Sequence, residues 1–164
     1  MSFKQPATAL YDFLRESYSK GPFAAFYEGD PGLIANSNLP CLVVEKLRDQ
    51  STAGPTGFQR VTETLRVKVV MNKQDDWTGQ HELVDTTEKK IRDIVEDRDP
   101  ETGRYLPNTL KHALIHRFEV NGQGINDDMT FELGVDLRPE DTITEEGHLT
   151  ISVTHLVANP QRNT

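Results

Sequence analysis

Three segments of the chain alternate apolar and polar residues, and this alternation limits the fold more than any other feature of the sequence. The segments cover residues 61–71, 129–137 and 149–157, and only Glu63 and His155 interrupt their apolar positions. Successive side chains of a strand point to opposite faces of a sheet, so the pattern predicts strands with one face on a core. The polar stretch 138–147 is predicted to join the last two segments as an antiparallel pair.

Two further segments have the periodicity of amphipathic helices. The first is closed by Gly21 and Pro22, a typical helix end. The predicted apolar faces are Leu10, Phe13, Leu14 and Tyr18 in the first helix, and Val84, Thr87, Ile91, Ile94 and Val95 in the second.

The whole pattern predicts one α+β domain over residues 1–157, with a flexible tail over residues 158–164. A length of 164 residues suits a single domain. Apolar pieces at 23–27 and 40–45 add two strands to a mixed, mostly antiparallel sheet, on which an N-terminal helix and one central helix pack. The predicted core is Leu65, Val67, Val69, Phe131, Leu133, Val135, Ile151 and Val153 against Ile91, Ile94 and Val95.

Two segments have less regular patterns. Residues 110–120 match both a helix and a strand, and we predict a short helical start followed by a strand from about Ile115. Residues 48–57 are polar and contain Gly and Pro, which predicts a ten-residue loop. Loops in compact domains are typically ~4–6 residues, and longer ones are often functional. Because Glu63 interrupts the apolar face of the next strand, the end near Phe58 is expected to project beyond the core.

Charge limits the classes of partner. The chain has 26 acidic against 18 basic side chains and a net charge of -8. A domain that grips nucleic acid usually presents a basic patch, so tight non-specific DNA binding is disfavoured. We expect no membrane span and no secretory signal, because no stretch reaches ~20 apolar residues and the N-terminus lacks an apolar core region. The single cysteine, Cys41, fits a reducing cytoplasm.

His112 and His116 are the one pair with metal-ligand spacing. Four residues apart on a helix, they could face one metal ion, as in the HExxH arrangement. The glutamate of that motif is missing and no obvious third ligand is near in sequence. The favoured interpretation is therefore two ordinary polar positions on a half-buried element, and no metal or cofactor is predicted.

Other candidate groups also have simpler interpretations. Residues 97–103 contain three acids but fail the ligand positions of an EF-hand, so a solvated turn is favoured. Cys41 lies in an apolar strand, where a buried structural cysteine is typical. The acidic pairs 75–76, 127–128 and 145–146 lie in predicted loops, and no phosphate-binding loop or nucleophile elbow is present. These observations favour a protein that is not an enzyme.

The order of elements is helix, strands, loop, long strand, helix and paired strands. Its distinctive parts are an opening amphipathic helix with residues 10–14, an apolar strand at 39–45, a long basic-faced strand at 60–69, a helix around 91–95 and a closing strand at 149–154. In this order and character the chain resembles the tail terminator proteins of tailed phages, also called tail-to-head joining proteins. The resemblance spans most of the chain.

The resemblance implies a structural virion subunit that is made in the host cytoplasm and assembles as a hexameric ring in the phage neck. Such a ring caps the last ring of the tail tube, binds the head connector and lets DNA pass without specific binding. Free strand edges and a heterologous contact that closes by rotation are consistent with a ring. An acidic wall would repel phosphate and so let DNA slide.

Two sets of residues are predicted to serve this assembly. Arg48, Asp49, Gln50, Phe58 and Arg60 are expected to contact a neighbouring subunit or the tube. The acidic residues Asp75, Asp76, Asp127 and Asp128 are expected to face the channel, with bulk water at the outer rim as the open alternative.

Two other functions stay open at this stage. The chain could be another neck, connector or baseplate completion protein of a virion, which would cap a different structure. It could also be a small metal-dependent hydrolase that uses His112 and His116.

Overall fold

The structure is a computed structural model that describes residues 2–78 and 85–159. Within these ranges the chain forms three α-helices and five strands, and none of the helices is long and apolar enough to cross a membrane. The elements are α1 Pro6–Ser17, β1 Ala25–Glu28, β2 Cys41–Ala53, β3 Phe58–Asn72, α2 Thr87–Glu96, α3 Leu110–His116, β4 Thr130–Arg138 and β5 Thr142–Ala158.

The strands form one sheet in the order β1-β2-β3-β5-β4. β1 runs parallel to β2, and every other neighbouring pair is antiparallel. The predicted α+β class, with a mixed and mostly antiparallel sheet, is therefore confirmed. The structure adds a third helix, α3, that the sequence pattern left divided between helix and strand.

The core lies between one face of the sheet and the helices. Leu65, Val67 and Val69 of β3 are fully buried beside Ile151 and Val153 of β5. The predicted helix residues Ile91 and Val95 are buried against this face, while Ile94 is half-buried and Val84 lies outside the described residues. α2 begins after Thr86, whose hydroxyl accepts the backbone N–H of Lys89 as an N-cap.

The predicted core was wrong at the end of β4. Phe131 and Leu133 pack on the core, but Val135 is 59% exposed and Leu137 is 66% exposed. β4 is an edge strand, and neither Val135 nor Leu137 packs against the core cluster. Their apolar alternation therefore marks a surface and not a core.

The strand predicted from about Ile115 was also wrong. The helix α3 continues to His116, because Leu110, Ala113 and Leu114 form its buried face and Thr109 caps its first turn. Ile115 is exposed on the outer side of this helix.

Two predicted loops are strands. β2 continues through residues 48–53 and pairs with β3, so the turn contains only residues 54–57. The connection predicted over residues 138–147 is a short 3-10 turn at Pro139–Asp141, after which β5 begins. Backbone hydrogen bonds across the strands satisfy both polar segments, so their polarity does not prevent strand formation. β5 ends at Ala158, and residues 160–164 of the predicted tail lie outside the described residues.

Candidate assembly surfaces

A largely buried cluster of charges lies on the face of the sheet opposite the helices, beside a second apolar cluster of Ile34, Cys41, Val43 and Val70. The guanidinium of Arg138 donates to Asp30 Oδ1 at 2.8 Å and to Glu146 Oε2 at 2.8 Å. Lys68 Nζ lies 2.8 Å from Asp30 Oδ2 and 2.7 Å from Glu45 Oε1. We call these five residues the ion cluster. They bring together β2, β3, β4, β5 and the loop after β1.

Both acids that contact Arg138 are held ionised. The pKa of Asp30 lies far below its usual range, chiefly through the hydrogen bond from Arg138 and despite partial burial. Burial raises the pKa of Glu146, but hydrogen bonds from His148, Arg138 and Thr144 outweigh it and lower the pKa from 4.5 to about 2. The charges of the ion cluster are paired with one another. Through Asp30 they hold the loop after β1 against the sheet.

Sequence analysis missed this cluster. Glu145 and Glu146 were placed in a solvated loop, whereas both are buried in β5. Arg138 closes β4, and Asp30 precedes it by more than a hundred residues. The alternation of charged and apolar residues in β3 did indicate a polar face of the sheet. It did not indicate which residues of other strands pair with these charges.

The histidine pair and Cys41 each lack part of the arrangement that catalysis would need. The rings of His112 and His116 lie 4.4 Å apart on α3. In residues 2–78 and 85–159 no three His, Cys, Asp or Glu side chains are grouped as a metal site. Cys41 is buried, and burial raises its pKa to about 12, so its thiol is protonated at neutral pH. In the turn after α2, the Asp99 carboxylate accepts the backbone N–H groups of Glu101 and Thr102.

A cavity of about 590 Å³ lies between the end of α1 and the helix α2. Its lining includes Tyr18, Asp93, Asn108 and Arg117, so charges of both signs face it. Burial raises the pKa of Tyr18 to about 12, which leaves a neutral phenol at the wall. Neither Cys41 nor the histidine pair lines this cavity, and no catalytic arrangement follows from it.

The strands β2, β3 and β5 run beyond the core, at the end of the sheet away from Arg138. We call residues 47–60 and 156–158 the arm. Every described arm residue is exposed except Gly54, which is half-buried, so both faces of this part of the sheet meet solvent. The arm displays the apolar side chains Leu47, Phe58, Leu156 and Val157.

The arm contains all five predicted contact residues. Phe58 and Arg60 pair with Ala158 and Leu156, which confirms that the start of β3 projects beyond the core. Arg48, Asp49 and Gln50 lie on β2 instead of in a loop, and Asp49 accepts a 2.8 Å hydrogen bond from Lys46.

A second exposed surface lies along β4. We call residues 127–141 the β4 edge. In the described part of the chain, β4 pairs with β5 on one side and with no strand on the other. Exposed Val135 and Leu137 lie on this edge. It carries six acidic side chains, namely Asp127, Asp128, Glu132, Asp136, Glu140 and Asp141.

The four predicted channel residues divide into two groups. Asp75, Asp127 and Asp128 are exposed. The Asp76 side chain is only 9% exposed, accepts the backbone N–H and hydroxyl of Thr87 at 2.8 Å each, and pairs with Lys73 at 2.9 Å. Burial opposes ionisation, but these contacts lower the pKa of Asp76. Its carboxylate holds the start of α2 and is not a free surface charge.

Comparison with known proteins gives no further assignment. No protein-family model matches the sequence, and no curated protein matches it. The function is therefore inferred from the arm and the β4 edge.

Proposed function

We propose that the chain is a ring-forming virion subunit that caps the tail tube and joins it to the head connector, as its resemblance to tail terminators implies. The arm is the observation that carries this proposal. Three strands extend past the core with apolar side chains exposed on the extension. Exposed apolar patches and long free strand edges favour aggregation unless a partner covers them. A subunit whose function is assembly has such a partner.

The charge distribution is consistent with a ring around DNA. The net charge of -8 disfavours tight contact with phosphates. Asp75, Asp127 and Asp128 remain candidates for the channel wall because their carboxylates are exposed. Asp76 is not a candidate, because its carboxylate binds Thr87 at the start of α2 and pairs with Lys73.

A shortened arm tests the assembly function. Gln50 pairs with Thr62, so residues 51–61 can be replaced by Asn-Gly, a two-residue hairpin turn. Light scattering over a range of concentrations is expected to show closed multimers for the wild type and monomers for this variant. Circular dichroism and thermal unfolding check that the variant is folded. A wild-type protein that stays monomeric even when mixed with tail tubes would contradict the proposal.

A further inference from the structure

We propose that neighbouring copies meet through two different surfaces, with the β2 strand of one copy's arm lying along the β4 edge of the next copy. This inference rests on the proposed ring function and names its contact. Both strands have a free side. β1 pairs with β2 only as far as Val44, and β4 has a strand partner only in β5 among the described residues. A strand added to a free edge gains main-chain hydrogen bonds.

The arm and the apolar end of the β4 edge, at Val135 and Leu137, lie near opposite ends of β5. Leu137 pairs with Ile143 near the start of β5, whereas Val157 pairs with Gln59 near its end. The 14 residue-to-residue steps from Ile143 to Val157 span roughly 45 Å at the rise of an antiparallel strand. β3 and β5 also separate β4 from the β2 strand of the arm, so the arm of a copy cannot reach Val135 and Leu137 on its own β4 edge, and a second copy would cover them.

The two surfaces have opposite charge. Arg48 and Arg60 are exposed on the arm, whose only acid is Asp49, so the arm has a net charge of +1. The β4 edge has six acids against one base, for a net charge of -5. That base, Arg138, is buried in the ion cluster. In a chain of net charge -8, the arm is a basic exception, and the strongly acidic β4 edge complements it.

Apolar side chains can cover one another in the same contact. The arm offers Leu47 and Phe58, and the β4 edge offers Val135 and Leu137. An arm-to-arm contact would place Arg48 and Arg60 against like charges, and an edge-to-edge contact would do the same with six acids per copy. Like-charge contacts oppose both symmetric pairings. The arm-to-edge contact is heterologous, leaves one surface of each kind free at every step, and closes when the rotation completes a ring.

Two variants that each block one surface test this contact. The arm-blocked variant is Arg48→Glu with Arg60→Glu, which sets acidic side chains against the acidic edge. The edge-blocked variant is Val135→Ser with Leu137→Ser, which removes the apolar side chains of the edge. All four side chains are exposed, so both variants are expected to fold. Matched controls outside both surfaces are Arg104→Glu and Ile115→Ser, which alter exposed residues of the same types.

Each blocked variant alone is expected to need at least tenfold higher concentration than the wild type to assemble, as measured by light scattering. An equimolar mixture is expected to form a dimer of twice the chain mass and nothing larger. The intact arm of the edge-blocked variant binds the intact edge of the arm-blocked variant, and the dimer has no intact surface left. The controls are expected to assemble as the wild type does. High salt is expected to weaken the contact through screening.

Three outcomes would overturn the proposal. If the wild type assembles and both blocked variants assemble equally well, the ring function stands and the arm-to-edge contact is wrong. A mixture that stays monomeric at concentrations where the wild type assembles also overturns the contact alone. A wild type that never assembles, with or without tail tubes, overturns the ring function and this contact with it.

Discussion

Replacement of Arg138 by alanine is expected to lower the free energy of unfolding by about 3–5 kcal/mol, the usual cost of breaking a buried ion pair. Arg138 is buried and its guanidinium contacts Asp30 and Glu146. Without it, Glu146 keeps a buried carboxylate that has lost its cation. Asp30 keeps Lys68 and the backbone N–H of Gly32. Urea unfolding at one fixed protein concentration measures the loss.

Lys89→Ala is the matched control. Lys89 lies 2.8 Å from Asp93, but both side chains are exposed, so water already solvates the pair and the loss is expected to be much smaller than for Arg138→Ala. An equally small loss for Arg138→Ala would contradict the buried character of the ion cluster.

The free energy of unfolding at acidic pH provides a second test of Arg138→Ala. The folded-state pKa of Glu146 is about 2 and its ordinary value is 4.5. As the pH falls through this window, the unfolded state takes up the proton first, so the stabilisation present above pH 4.5 is lost by about pH 2. Arg138→Ala removes a cation that lowers the folded-state pKa of both carboxyls, so the variant is expected to lose less stability than the wild type between pH 4.5 and about pH 2.

Replacement of Gly147 by alanine is expected to cost about 1–3 kcal/mol, the usual cost of overpacking a core. Gly147 lies on the helix-covered face of β5. A Cβ placed there would overlap Ile91 Cγ2 and lie 2.9 Å from Phe131 Cε1. The new methyl group must therefore displace α2 or the ring of Phe131. Thermal or urea unfolding measures the effect.

Gly134→Ala provides the control in the neighbouring strand. Gly134 pairs with Glu146 across β4 and β5, and a Cβ there meets nothing within 4 Å. This substitution is expected to be neutral within ~0.5 kcal/mol, as surface changes usually are. Equal losses for the two glycines would show that α2 does not press on β5 at Gly147.

The periodicity of the sequence predicted the fold class and most of the core. Segments 61–71 and 149–157 each have a strong period of two, and both are strands with buried apolar faces. The period of 3.6 predicted α2 through Ile91 and Val95. Such a pattern lies within a single helix or strand and reflects which of its faces is buried, so it can be recognised in one sequence.

The arm, the β4 edge and the ion cluster were less predictable because they depend on contacts between residues far apart in the sequence. Residues 48–53 are polar, and they form a strand only because β3 satisfies their backbone groups. Val135 and Leu137 have the pattern of core residues, and their exposure follows from the position of β4 at the sheet edge. The pairing of Arg138 with Asp30 joins residues more than a hundred positions apart. The sequence predicted the exposed residues Arg48, Phe58 and Arg60, but it placed the first of them in a loop.

Electron microscopy of growing tail tubes tests the central claim most directly. The cognate tube subunits are polymerised with and without the protein, and the lengths and ends of the tubes are compared. We expect the protein to stop tube growth and to appear as one ring of extra density at a single end of each tube, six subunits around as the resemblance implies. The shortened-arm variant is expected to leave the tubes growing. Tubes that grow to the same lengths with the wild type present, and that carry no added density at either end, would contradict the account.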